Sequence, residues 1–379
     1  MIYFDNSATT PIYPEALDTY IKVSQAVIGN PSSLHKLGVT ADQLLQQSRK
    51  QVADLLHVSS KEIYFTSGGT EGDNWVIKGT AIEKAAYGKH LITSAIEHPA
   101  VSKTMQQLEK LGFEVTVIPV DAQGVVSAEA VKNAIRPDTI LVSLMAVNNE
   151  VGAIQPIKEV GNILEAYPTI HYHVDAVQGL TEFDAVIQHP RIDFLVLSAH
   201  KFRGPKGVGI LYHKAGKRLA PLLTGGGQES GQRSTTENVP GIASTAKALR
   251  MALEDRTVAH QTEMQLKGML IDFLTGYEDV RIFSTEQGAA HIICFAMKAV
   301  RGEVMVHAFA NEDIILSTTS ACSSKKGDVP ATLEAMGVPS EWSKCAVRVS
   351  LSGENTQAEI ERFKEVFHQL HTKFQKIQK

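Results

Sequence analysis

Between about residues 40 and 215 the chain alternates short apolar runs with amphipathic stretches, and this alternation restricts the fold more than any other feature. The apolar runs lie at 62–67, 90–94, 113–120, 139–147, 170–175, 194–198 and 208–213. The stretches between them keep helical spacing; in 42–56, Leu45, Val52, Leu55 and Leu56 fall on one face. Strands that alternate with helices predict a largely parallel sheet with helices on both faces. Ligands of such sheets bind beyond the carboxyl ends of the strands, so the polar residues closing each run are the first candidates for function.

After Gly225-Gly226-Gly227 and a polar loop, a helical pattern runs from about 240 to 274. Beyond it, strands near 281–284, 291–297, 315–320 and 346–352 mix with helices near 303–310 and 357–376. The expected architecture is α/β: a large domain of residues 15–259 with a mainly parallel sheet, and a smaller α+β domain of 1–14 and 260–379. A length of 379 residues fits two cores better than one. The formal net charge of −4 supplies no global attraction for nucleic acid or anionic membrane. The first residues lack the pattern of a signal peptide, and no apolar run approaches the ~18 residues of a membrane span. Three scattered cysteines, Cys294, Cys322 and Cys345, do not make a disulfide framework or a zinc ribbon. The chain therefore reads as a soluble, cytoplasmic protein in which one thiol is available for chemistry.

Asp175 closes one apolar run, and Lys201 follows the next, in Ser198-Ala199-His200-Lys201. An acid and a lysine on two strand ends can grip one aromatic cofactor, the lysine as a Schiff base and the acid on a ring nitrogen. Alone, the pair is weak evidence, because an acid at a strand end and a lysine at a loop start are commonly structural. Ser67-Gly68-Gly69-Thr70-Glu71 follows a strand and opens a helix, where backbone N–H groups favour an anion, although an ordinary turn has the same look. Ser198 and His200, and further on Arg233-Ser234-Thr235-Thr236, offer more donors. His98 precedes Pro99 at a helix start, where an imidazole could stack on a flat ring and shuttle protons. Asn148-Asn149-Glu150 and Arg348 offer an amide and a bidentate fork to a carboxylate. His171, His173 and Asp175 alternate along one strand with no second ligand cluster nearby, which speaks against a metal site. The spacing in Gly225-Gly226-Gly227 does not match a dinucleotide loop.

Taken in order, these segments resemble the class V aminotransferase family, and within it the cysteine desulfurases of the NifS/IscS type. The resemblance rests on Tyr3-Phe4-Asp5-Asn6-Ser7-Ala8-Thr9-Thr10, Thr66-Ser67-Gly68-Gly69-Thr70-Glu71, Glu97-His98, Asn148-Asn149-Glu150, His173-Val174-Asp175-Ala176-Val177-Gln178, Ser198-Ala199-His200-Lys201, Gly225-Gly226-Gly227-Gln228-Glu229, Ser320-Ala321-Cys322 and Val347-Arg348-Val349. It covers nearly the whole chain. It implies an aspartate aminotransferase-like fold of type I, pyridoxal 5'-phosphate as cofactor, and a homodimer. Lys201 would carry the Schiff base, Asp175 would meet the pyridine nitrogen and Gln178 the ring hydroxyl. His98 would stack on the ring and move protons. Gly69, Thr70, Ser198 and His200 would form the phosphate site, joined by Thr236 of a neighbouring subunit, while Asn149 and Arg348 would hold the substrate carboxylate.

Cys322 selects the subfamily, because a desulfurase needs a thiol to take sulfur from L-cysteine as a persulfide. Its flanks, Ser323-Ser324-Lys325-Lys326-Gly327, have the composition of an exposed loop, and the lysines favour the thiolate. Cys294 and Cys345 read as structural. Selenocysteine lyase, a related aminotransferase and a silent scaffold homologue remain alternatives. The implied acceptor is a protein of iron–sulfur assembly, tRNA thiolation or thio-cofactor synthesis. Two departures from the family pattern stand out: Arg233-Ser234-Thr235-Thr236 for the usual Arg-Ser-Gly-Thr, and Leu351-Ser352-Gly353-Glu354 for Leu-Gly-Arg-Phe, which loses an arginine.

Overall fold

The computed structural model describes residues 1–182, 188–319 and 330–378. After β1 (Ile2–Tyr3), α1 (Pro14–Ala26) and α2 (Lys36–Leu56) come the strands of a seven-stranded sheet. These are β2 (Ile63–Thr66), β3 (His90–Ser94), β4 (Glu114–Ile118), β5 (Thr139–Met145), β6 (His171–Asp175), β7 (Phe194–Ser198) and β8 (Gly209–His213). Between them lie α3 (Gly69–Lys84), α4 (Pro99–Glu109), α5 (Ala128–Asn133) and α6 (Ile157–Leu164).

The lateral order is β2-β8-β7-β6-β5-β3-β4. The pairs from β4 across to β7 are parallel, but β8 runs antiparallel to both β7 and β2. Only residues 199–208 separate β7 from β8, too few for the helical crossover that parallel pairing requires. Every residue of β3, β5, β6 and β7 is buried. Successive side chains serve opposite faces. Ile92, Val142, Leu195 and Ile210 pack with Leu45, Val52 and Val160 on one face. On the other, Leu91 and Leu141 meet Ile77 and Val101, and Val196 and Leu211 meet Trp75. Leu55, expected with Leu45 and Val52, is only half-buried.

α7 (Val239–Leu274) links two cores: Ile242 and Leu249 belong to the first, Leu266, Leu270 and Leu274 to a second. The second core lies on an antiparallel sheet of β9 (Val280–Ile282), β10 (Ile292–Met297), β12 (Ser317–Thr318) and β13 (Ala346–Ser350). The expected strand at 315–320 is in fact two pieces. β11 (Ile314–Ile315) pairs in parallel with β1, and β12 pairs with β13, so the chain changes partner at Leu316. α8 (Gly302–Ala310), α9 (Ala331–Ala335), α10 (Ser340–Ser343) and α11 (Gln357–Gln378) complete the chain order.

Phe363 of α11 is fully buried, stacks on Phe309 of α8 at 4.9 Å, and meets Phe4 and Phe295 edge-on. Phe363→Ala should therefore cost about 3–5 kcal/mol of unfolding free energy. Denaturant unfolding followed by circular dichroism measures it; a loss below about 1 kcal/mol would mean the aromatic cluster collapses around the gap.

Candidate active site

The carboxyl ends of the strands open into a cleft of about 690 Å³. Gly69, Thr70, His98, Asn149, Asp175, Gln178, Ser198, His200, Lys201 and Arg348 all line it. Residues separated by up to 279 positions in the sequence thus face one volume. Thr236 is exposed and does not line the cleft, and Cys322 lies outside the described residues.

One end of the cleft suits an anion. Between β2 and α3, Gly68 takes φ +154°, which side chains rarely adopt, and a Cβ on Gly69 would come within 2.8 Å of Val177 Cγ2. The turn therefore excludes side chains and leaves the first N–H groups of a 16-residue helix pointing into the cleft with its positive dipole end. The Ser67 N–H donates to Glu71 at 2.8 Å, and Arg233 grips the same carboxylate with bonds of 2.6 and 2.9 Å. That pair fastens the 225–236 loop to the turn. Burial, with Lys201 and Lys206 nearby, brings the His200 pKa down to about 4, so its ring is neutral.

At the centre, Asp175 is the last residue of β6 and is buried; its Oδ1 accepts the Val177 N–H at 3.0 Å. Lys201 ends a short 3-10 turn after β7, and its Nζ donates to the carbonyls of Ser7 and, at 3.0 Å, Ala8. His98 caps α4: its Nδ1 accepts the Ala100 N–H at 3.1 Å, so a neutral ring carries its proton on Nε2. Burial lowers the His98 pKa, against the pull of Asp175.

The opposite wall suits a carboxylate. Arg348, on β13, is 3% exposed. Its Nη1 donates to Asn149 O at 2.7 Å and its Nη2 to Asp5 and Ser317 at 3.0 and 2.9 Å. The buried Nε has no partner among the described residues. A buried guanidinium with an unmet donor is prepared for an incoming anion.

Residues 2–363 match the family described as Aminotransferase class-V. The chain belongs to that family. It is 51% identical to the NifS/IcsS protein homolog of Lactobacillus delbrueckii subsp. bulgaricus, over 100% of this chain and 99% of the relative. It is 41% identical to cysteine desulfurase IscS of Methanosarcina thermophila, over 99% of this chain and 93% of the relative. A solved NifS-like protein superposes with a TM-score of 0.92 at 36% identity, covering 98% of this chain and 99% of that one.

Other features of this cleft are not evident from motifs alone. Ser7 and Ala8 contribute backbone carbonyls, which leave no side-chain signal beyond a run of small residues. Asp73, on α3, and Glu97 sit buried near Asp175. Asp73 follows Gly69 by one helical turn, a spacing that could have flagged it. His173 and His171 each have a hydroxyl partner, Ser143 at 2.8 Å and Thr80 at 3.0 Å.

Glu97 Oε1 accepts the Ser94 O–H and the Met145 N–H, and Oε2 has no partner among the described residues. Burial raises its pKa from 4.5 to about 8. Between those values the folded state binds more protons than the unfolded one, so stability falls as pH rises. Glu97→Gln should remove this dependence, whose slope is at most about 1.4 kcal/mol per pH unit. In melts of the apoprotein at pH 5 to 8, the variant should gain on the wild type as pH rises. Parallel curves would show that Glu97 is already ionised at neutral pH.

Proposed function

We propose that this chain is a pyridoxal-phosphate cysteine desulfurase, which converts L-cysteine to L-alanine and keeps the sulfur as a persulfide on Cys322. The observation that carries the reading is Lys201 and Asp175 meeting in one cleft beside an anion-binding helix start. The site residues fit the group: a lysine for its aldehyde, a buried acid for its ring nitrogen, and a side-chain-free turn for its phosphate. Names of relatives, cysteine desulfurase IscS among them, support the same substrate.

When bound, pyridoxal phosphate supplies an electron sink for the substrate's Cα. Asp175 keeps the ring nitrogen protonated, and burial strengthens that contact by excluding water. Gly69, Thr70, Ser198, His200 and the α3 N–H groups hold the phosphate. Gln178 donates to the ring hydroxyl oxygen, His98 covers the ring and moves protons at Nε2, and Asn149 and Arg348 orient the substrate carboxylate. The Cys322 thiolate attacks the substrate sulfur, so an S–S bond forms as the C–S bond breaks. The electron pair of that bond stays with the carbon skeleton, which takes up a proton and leaves as alanine. A sulfur-acceptor protein then removes the outer sulfur for iron–sulfur, thio-tRNA or thio-cofactor synthesis in the cytoplasm.

The catalytic unit in this proposal is a homodimer, and each chain divides into residues 15–259 and a second domain of 1–14 with 260–379. Ile28, Leu34 and Leu37 are exposed apolar side chains that a second copy would cover. Pro31 and Ser32 share a hollow with Gly226, Gly227 and Gln228, in the loop that leads to Thr236. Among the described residues no helix is long and apolar enough to cross a membrane.

The purified protein should be yellow and Lys201→Ala should lose that absorbance. Cys322→Ala should keep its cofactor, change spectrum on adding cysteine, and form alanine at least ~100-fold more slowly. Alanine release at the wild-type rate would remove Cys322 from the chemistry. For the dimer, Lys201→Ala and Thr236→Ala chains should each bind cofactor poorly alone. Mixed, they form hybrids in which one of two sites regains both residues, visible as recovered absorbance. A mixture that recovers nothing would place Thr236 outside the partner's site.

A further inference from the structure

The side-chain amide of Gln178 has most of its hydrogen bonds already assigned. Its Nε2 donates to Ser7 O at 2.9 Å, and its Oε1 lies 3.2 Å from His291 Nε2. A glutamine amide has two N–H donors and one carbonyl acceptor. With the carbonyl turned to His291 and one N–H turned to Ser7, one N–H is left, and Gln178 lines the cleft. The flipped amide would set its carbonyl against Ser7 O, acceptor against acceptor. Ser7 O also accepts from Lys201 Nζ, so a flip would disturb the anchor of the lysine as well.

His291 is what makes the orientation one-way. It precedes β10, is 7% exposed, and its Nδ1 lies 3.4 Å from Thr181 Oγ1, whose O–H can donate to it. Burial is the main force lowering its pKa to about 3, helped by Lys267, Arg348, His260 and Lys201. The ring is therefore neutral in the working range and has one proton to place. With Nδ1 accepting from Thr181, that proton is on Nε2 and points at Gln178 Oε1.

We propose that His291 is a positioning residue: its Nε2–H holds the Gln178 carbonyl and so aims the free amide N–H into the cleft, at the ring hydroxyl oxygen of the cofactor. This rests on the pyridoxal-phosphate reading above and adds a residue that no motif marked. The chain of contacts runs from Thr181 through His291 and Gln178 to the ligand, and Ser7 O joins it to Lys201. A donor to the ring oxygen favours its ionised form. Losing that donor raises the pH at which the bound cofactor's absorbance changes.

The test compares His291→Leu, which has no donor, with His291→Gln, which keeps one, and uses Thr181→Val as a milder change upstream. Titration of apoprotein with pyridoxal phosphate should give about three- to tenfold weaker binding for His291→Leu, the effect of one neutral hydrogen bond. Its absorbance midpoint should move to higher pH; His291→Gln should return both values most of the way, and Thr181→Val should shift them in the same direction by less. In a Gln178→Leu background, His291→Leu should add no further shift. A His291→Leu protein with unchanged affinity and midpoint overturns the proposal, as does one in which only the melting temperature falls. If His291→Leu does not fold, unchanged values in Thr181→Val overturn it instead. A wild type that binds no pyridoxal phosphate would defeat the underlying reading, which is a different result from wild-type binding that His291 does not influence.

Discussion

Arg348 is the contact on which the cleft depends. A buried guanidinium depends on its partners, and removing one partner of such a charge typically costs about 3–5 kcal/mol. Its partners come from three distant segments: Asp5 near the start of the chain, the Asn149 carbonyl after β5, and Ser317 on β12. The second sheet is thereby tied to the end of the first. The N-terminal segment continues the same seam. Asn6 donates to Ser350 O, Ser7 N–H to Ser350 Oγ, and Thr10 to His200 O, while Ser7 and Ala8 receive Lys201. The lysine that matters most to the proposed chemistry is held by backbone that belongs to neither sheet.

Burial is also what sets the charge of the site. Asp175, Asp73 and Glu97 crowd the region under the cleft, and each has its pKa raised first of all by desolvation. Ionised carboxylates so close together would also repel one another, which adds to the upward shift, while His98 and Lys201 pull Asp175 back towards its charged form. His98 and His200 are pushed the other way by the same loss of water and stay neutral. A ligand entering this cleft meets the basic side chains of Lys201, Lys206 and Arg348 together with the directed dipoles of the α3 start.

In the loop after Arg348, Glu354 pairs with Arg203. Arg203 takes φ +63°, lies 4.1 Å over the Tyr13 ring and donates to Pro11 O. Glu354 is largely exposed, so the pair itself adds little stability, about 1 kcal/mol or less. Its effect is on the charge at that surface.

Much of this was legible from local pattern. The runs of β3, β5, β6 and β7 became central strands because burial on both faces of a sheet demands continuous apolar sequence, and α3 and α4 start where glycine, histidine and proline signal it. Asp175, Lys201, His98 and Arg348 stood out because strands and helix starts are readable one segment at a time, whereas Gln178 entered only through the family resemblance. What only the tertiary structure decided is of another kind. The antiparallel turn of β8, the split of one expected strand between two sheets, the carbonyls under Lys201, and the bond from His291 to Gln178 all depend on partners far apart in sequence. Periodicity reports which face of a segment is buried, and it carries no information about what that face meets. Hydrogen-bond partners and desolvation are properties of the assembled volume, so they appear only once the chain has closed around it.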